Sequence, residues 1–103
     1  MNPTVHYSTE IQERLSFIDE NIGHGNIIDS FVVDRGHPHG AEIHSVTDTA
    51  LIIITNQETN KIITELIARP EQLRRLYRSD GREPPKKVLK LAYRHNAHRY
   101  NEL

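Results

Sequence analysis

No cysteine occurs among the 103 residues, so the chain has neither a disulfide scaffold nor a thiolate zinc site. No apolar run approaches the roughly 18 residues that a membrane helix needs. The longest is Ala50 to Ile54. The opening Met1-Asn2-Pro3-Thr4 has neither a basic start nor an apolar stretch, which argues against a secretory signal and for a cytoplasmic protein. An exported toxin domain cut from a longer chain would share these features. Hydrophobic residues make up only 36% of the chain, so a thin core is expected, one sheet face covered by helices. The length accommodates one domain over residues 1–103.

What is present is a strong charge polarity beneath a net charge of −1. Residues 1–60 carry two basic residues, Arg14 and Arg35, against nine acidic ones, a balance of −7. Residues 61–103 carry eleven basic against five acidic, a balance of +6. The basic half can face a nucleic acid, or the two halves can attract each other within the fold or between copies in a homo-oligomer.

Ile11, Leu15, Ile18 and Ile22 fall on one stripe and predict a helix over Thr9–Ile22, with Thr9 and Gln12 as a capping box and Gly23 as the stop. Ile27-Ile28 and Phe31-Val32-Val33 predict a first strand that ends at Asp34. Two glycines and a proline make residues 35–40 a turn. Three further strands follow: Ala41–Thr47, Ala50–Thr55 and Lys61–Ala68, the middle one apolar enough for burial on both faces. Short links between them require an antiparallel meander. One helix is expected from Pro70 to the Ser79-Asp80-Gly81 stop, and another after Pro84-Pro85. The fold class is α+β: an N-terminal helix, a four-stranded, mostly antiparallel sheet and two C-terminal helices. Ile18, Ile43, Ile53 and Ile63 are the expected core.

Seven histidines give the chain its chemistry, and three of them, His37, His39 and His44, lie close together. The period of two places Glu42 and His44 on one strand face and Ile43 on the other. With Ile43 inward, Glu42 and His44 project toward solvent or a cleft. A carboxylate beside an imidazole can move protons near neutral pH, although such a pair also suits the wet side of a sheet. Gly36 and Gly40 permit backbone shapes that carry His37 and His39 to that strand's edge.

Lys61, Thr64 and Arg69 add a cation, a hydroxyl and a cation from the fourth strand. Arg69 precedes Pro70, where free helix N–H groups favour an anion such as phosphate; a structural salt bridge explains it equally well. Phosphodiester cleavage needs such a set: a base, an acid and cations on the phosphoryl oxygens. Lys61, Arg74, Arg75 and Arg78 are the basic residues expected to contact nucleic acid. His37, His39 and His44 could offer three nitrogen ligands to zinc or nickel, and His95 and His98 share a helix face, but neither spacing is distinctive and no metal or other cofactor is expected. His95 reads as a packed, hydrogen-bonded residue.

The stretch Phe31-Val32-Val33-Asp34-Arg35-Gly36-His37-Pro38-His39-Gly40-Ala41-Glu42-Ile43-His44, followed by Thr64-Glu65-Leu66-Ile67-Ala68-Arg69-Pro70, resembles a phage-associated nuclease group. That group belongs to the barnase–EndoU–colicin E5/D–RelE-like superfamily of small ribonucleases and toxins. The similarity covers about residues 27–78. It implies a metal-independent endoribonuclease that cleaves RNA through a 2′,3′-cyclic phosphate, with an inhibitor protein as a further partner. It assigns the catalytic roles to His37, Glu42, His44, Thr64 and Arg69. The slightly acidic net charge departs from the basic character usual in such nucleases. The alternative is a non-catalytic binding protein of a phage or mobile element, acting through protein–protein contacts. Convergence of Glu42, His44 and Arg69 on one cleft favours the nuclease; divergence favours the binding protein.

Overall fold

A computed structural model describes residues 9–36, 38 and 40–101. The first helix, α1 (Thr9–Phe17), runs into a π-helical turn over Ile18–Ile22. The helical extent expected from the apolar stripe is therefore present, but its last turn is widened. The Gly23 N–H reaches back to the Ile18 carbonyl at 2.7 Å, one residue further than an α-helix allows, and Gly23 then leaves the helix at φ 80°. Ile18 is fully buried against Leu51 and Ile67, with Phe17 and Ile22 packed around it. Burying a side chain of this size contributes about 1.5–3 kcal/mol.

Four strands follow in the order of the chain: β1 (Ile27–Val33), β2 (Glu42–Thr47), β3 (Leu51–Asn56) and β4 (Ile62–Ile67). All three neighbouring pairs are antiparallel, as the short links require. Helices α2 (Pro70–Arg78) and α3 (Lys86–Asn101) complete the α+β meander. No described helix is long and apolar enough to cross a membrane.

The register defines two sheet faces. On one, the cross-strand rows Phe31–His44–Ile54–Thr64 and Asp29–Val46–Ile52–Leu66 run toward α2 and α3. Here Phe31, Val46, Ile52 and Ile54 pack with Leu73, Tyr77, Val88 and Ala92 to form the larger core. The opposite face is covered by the π turn at the Leu51–Ile67 end. Central strand β3 is thus buried on both sides, Ile52 facing the helix pair and Leu51 facing Ile18, as its apolar run implied.

This arrangement corrects the expected core. Ile18 belongs to it, but Ile43 and Ile53 are only half-buried and Ile63 is 48% exposed. The period of two was right and its phase was reversed: two helices cover the Val46, Ile52 and Ile54 face, and only a short helical segment covers the other. Ile63 lies on edge strand β4, beside the register irregularity opposite Ile54 and Thr55.

Candidate active site

His44 sits on the helix-covered face of β2, between Phe31 and Ile54 in its row, and is only 6% exposed. It does not project from a wet sheet surface. Instead it lines a cleft of about 330 Å³ formed where the ends of β1 and β2 meet α2. Arg35 lines the same cleft from the β1–β2 turn, and Gln72, Arg75, Leu76 and the C-cap Ser79 line it from α2 and its end. Those four positions follow the i, i+3, i+4, i+7 pattern of a single face. Arg35 reaches the lip because the chain turns there: the Gly36 N–H donates to the Asp34 carboxylate at 2.9 Å.

Glu42 is two residues along the strand, so it shares the His44 face, and its Oε1 lies 3.0 Å from His44 Nε2. A carboxylate only accepts, so Nε2 carries the hydrogen. The remaining lone pair of a neutral imidazole is then on Nδ1. Nδ1 has no hydrogen-bond partner among the described residues. The pair therefore offers a base held in one tautomer by a carboxylate, beside a cleft that two arginines also line.

The other expected site residues are dispersed. Arg69 precedes α2, with its N–H bonded to Gln72 Oε1 at 2.9 Å, and lines a separate depression with Pro70, Glu71, Tyr93 and Asn96. Thr64 shares the row of His44, but two strands away, where its hydroxyl accepts from Arg14 Nη2 at 3.1 Å. Arg14 Nε is the one buried side-chain polar atom without a partner among the described residues. Lys61 is exposed at the start of β4. Of the basic residues on α2, only Arg75 enters the cleft. Arg74 bonds Tyr93 Oη at 2.7 Å, and Arg78 lines a hollow with Arg82 and Glu83. His37 and His39 lie outside the described residues. Glu42 and His44 thus come together as expected, whereas Arg69 stands apart from them.

Sequence reasoning missed Arg35, Gln72 and Ser79. Arg35 was legible, since it belongs to the same glycine-bracketed turn as His37. The polar positions 72, 75 and 79 on one helix face were a signal that this face borders a cavity rather than a dry core.

Two further histidines are tied into the fold. His24 bridges Glu65, at 2.7 Å from Nδ1, and Asp19, through Nε2. The Glu65 hydrogen bond, reinforced by Asp19, raises its pKa above the ordinary value. His95 Nε2 donates to the Thr49 carbonyl at 3.2 Å, and burial lowers its pKa. Among the described residues no three His, Asp or Glu side chains gather as a metal site, and His37 and His39 of the possible triad are outside that set. No protein-family model, curated protein or solved structure matches this chain.

Proposed function

We propose that the Glu42–His44 cleft cleaves RNA by attack of a ribose 2′-hydroxyl on the adjacent phosphate. The reading rests on one observation: an imidazole fixed by a carboxylate at 3.0 Å opens on a cleft that Arg35 and Arg75 also line. In this reaction the 2′-oxygen bonds to phosphorus and the bond to the 5′-oxygen breaks, leaving a 2′,3′-cyclic phosphate and a 5′-hydroxyl. His44 Nδ1 takes the 2′-proton, and Glu42 stabilises the resulting imidazolium through Nε2–H. Arg35 and Arg75 neutralise the phosphoryl oxygens, the role sequence reasoning gave to Arg69. His37, two residues from Arg35 in the chain, is the proposed donor to the departing 5′-oxygen.

The test is incubation of the purified protein with structured RNA in EDTA. Removing His44 should slow cleavage about 10²–10⁴-fold, the range for a lost general base. Wild-type protein that leaves RNA intact, or a His44→Ala variant as active as wild type, would remove the proposal. The second reading, a binding protein without catalysis, draws support from Arg69, which lies in a depression of its own.

A further inference from the structure

Tyr93 on α3 is 50% exposed, an aromatic ring left at the surface of a chain with a thin core. Its position is nonetheless fixed. Arg74 donates to its hydroxyl at 2.7 Å, and the guanidinium carbon lies 5.5 Å from the ring centroid. The same tyrosine walls a depression of about 300 Å³ with Arg69, Glu71 and Asn96. Asn96 Nδ2 donates to the carbonyls of Ala68 at 2.9 Å and Ala92 at 2.7 Å, which sets the amide orientation and leaves Oδ1 as an acceptor. The Arg69 guanidinium has no ion pair among the described residues.

We propose that this depression between α2 and α3 binds an unpaired nucleotide, its base stacked against Tyr93 and its phosphate held by Arg69. The ligand class follows from the parts. A flat aromatic surface takes any base by stacking, the acceptors on Asn96 and Glu71 suit the amino edge of a base, and an unpaired guanidinium suits a phosphate. The depression and the His44 cleft share α2, which lines one with Gln72 and Arg75 and the other with Pro70 and Glu71. A helix with its side chains is about 10–12 Å across, so a short single strand can occupy both. This inference rests on the ribonuclease reading for its biological sense, and it assigns Arg69 a binding role away from the reacting phosphate.

Binding, rather than cleavage, separates the two proposals. A fluorescently labelled single-stranded DNA oligonucleotide of mixed sequence lacks the 2′-hydroxyl, so it can bind without being cut. Tyr93→Ala should weaken its binding about 5- to 150-fold, the range for one lost base–aromatic stack, while Tyr93→Phe should retain it. Tyr93→Leu keeps apolar bulk and should still fall with the alanine variant. Arg69→Ala should weaken binding and make the salt dependence shallower by about 0.7 in log–log slope for each phosphate no longer neutralised. Wild type that binds no single strand, or that is matched by Tyr93→Ala and Tyr93→Leu, overturns the subsite. Tyr93-dependent binding without cleavage of the RNA counterpart sinks the nuclease and leaves the subsite standing.

Discussion

The geometry of His44 and Glu42 is unequal at the two ring nitrogens: one oxygen of Glu42 occupies Nε2, and Nδ1 has no partner among the described residues. Glu42→Gln keeps the size of the partner but removes the charge that steadies an imidazolium. Cleavage should fall well below wild type while binding of single-stranded DNA persists, and parallel loss of both would point to a structural role. A different pair of histidines sets the pH response of stability. His24 is raised above 6.5 by its bonds to Glu65 and Asp19, so its contribution is complete below 6.5 and is lost as pH rises through the raised value. His95 is lowered from 6.5 by burial, with Arg94 opposing its charge as well, so its contribution is present above 6.5 and is lost as pH falls toward the lowered value. Urea midpoints measured against pH should show both limbs. His24→Gln should flatten the alkaline limb alone and His95→Gln the acid limb alone; variants with wild-type profiles would refute the linkage. Tyr77 is a third case. Burial and its 2.5 Å bond to Asp29 push the phenol far above its ordinary range, so it stays protonated as a donor. Arg82 pairs with the same aspartate at 3.2 Å and lies over the Phe31 and Tyr77 rings. Tyr77→Phe should cost about 1.5–3 kcal/mol in chemical denaturation, the range for a hydrogen bond to a charged group. A change within error would show that Arg82 alone satisfies Asp29.

At the scale of elements, the connection from the π turn to β1 is closely packed. Gly25 adopts φ 69° and lies so close to the side chains of Asp48 and Thr49 that an added Cβ would collide with both. Asp48 meanwhile accepts from the Asn26 N–H at 2.9 Å, and Thr49 donates to the His24 carbonyl at 3.2 Å. Gly25→Ala should therefore cost more than the ~1–3 kcal/mol that left-handed backbone alone costs a side chain. Gly36→Ala is the control, since it has positive φ but no atom of the described residues within 4 Å of an added Cβ, and it should cost less. Equal losses would mean that backbone strain, not the close approach, decides. The elements themselves were legible because periodicity and turn chemistry are local: Gly23 and Pro84-Pro85 each punctuate the chain where the structure does. What local pattern could not convey was phase. Ile43 and His44 alternate on a strand whose two faces both receive helices, so the apolar residue was assigned to the main core, and the histidine occupies that face instead. The His24–Glu65 contact was equally invisible, because it joins residues 41 apart and depends on how α1 lies on the sheet.

For the whole molecule, the acidic first half and the basic second half meet in the contact of Arg82 with Asp29. Part of the charge polarity is therefore internal pairing. Much of the remainder lies on α2, on α3 and at the Arg69 N-cap, where Arg75 borders the His44 cleft and Arg69 the Tyr93 depression. A chain with net charge −1 gains little from general attraction to a polyanion, so the proposed RNA recognition rests on these local groups. The charge balance and the Glu42–His44 pairing were both readable along the chain. The separation of Arg69 from that pair was not, because it depends on which flank of α2 each side chain takes. The central claim concerns chemistry at one phosphate, and mass spectrometry of the RNA products formed in EDTA tests it most directly. Fragments ending in 2′,3′-cyclic phosphate, absent when the scissile ribose is 2′-deoxy and absent with His44→Ala, are the expected result. Intact RNA, or fragments carrying 5′-phosphates, would contradict 2′-hydroxyl attack in the Glu42–His44 cleft.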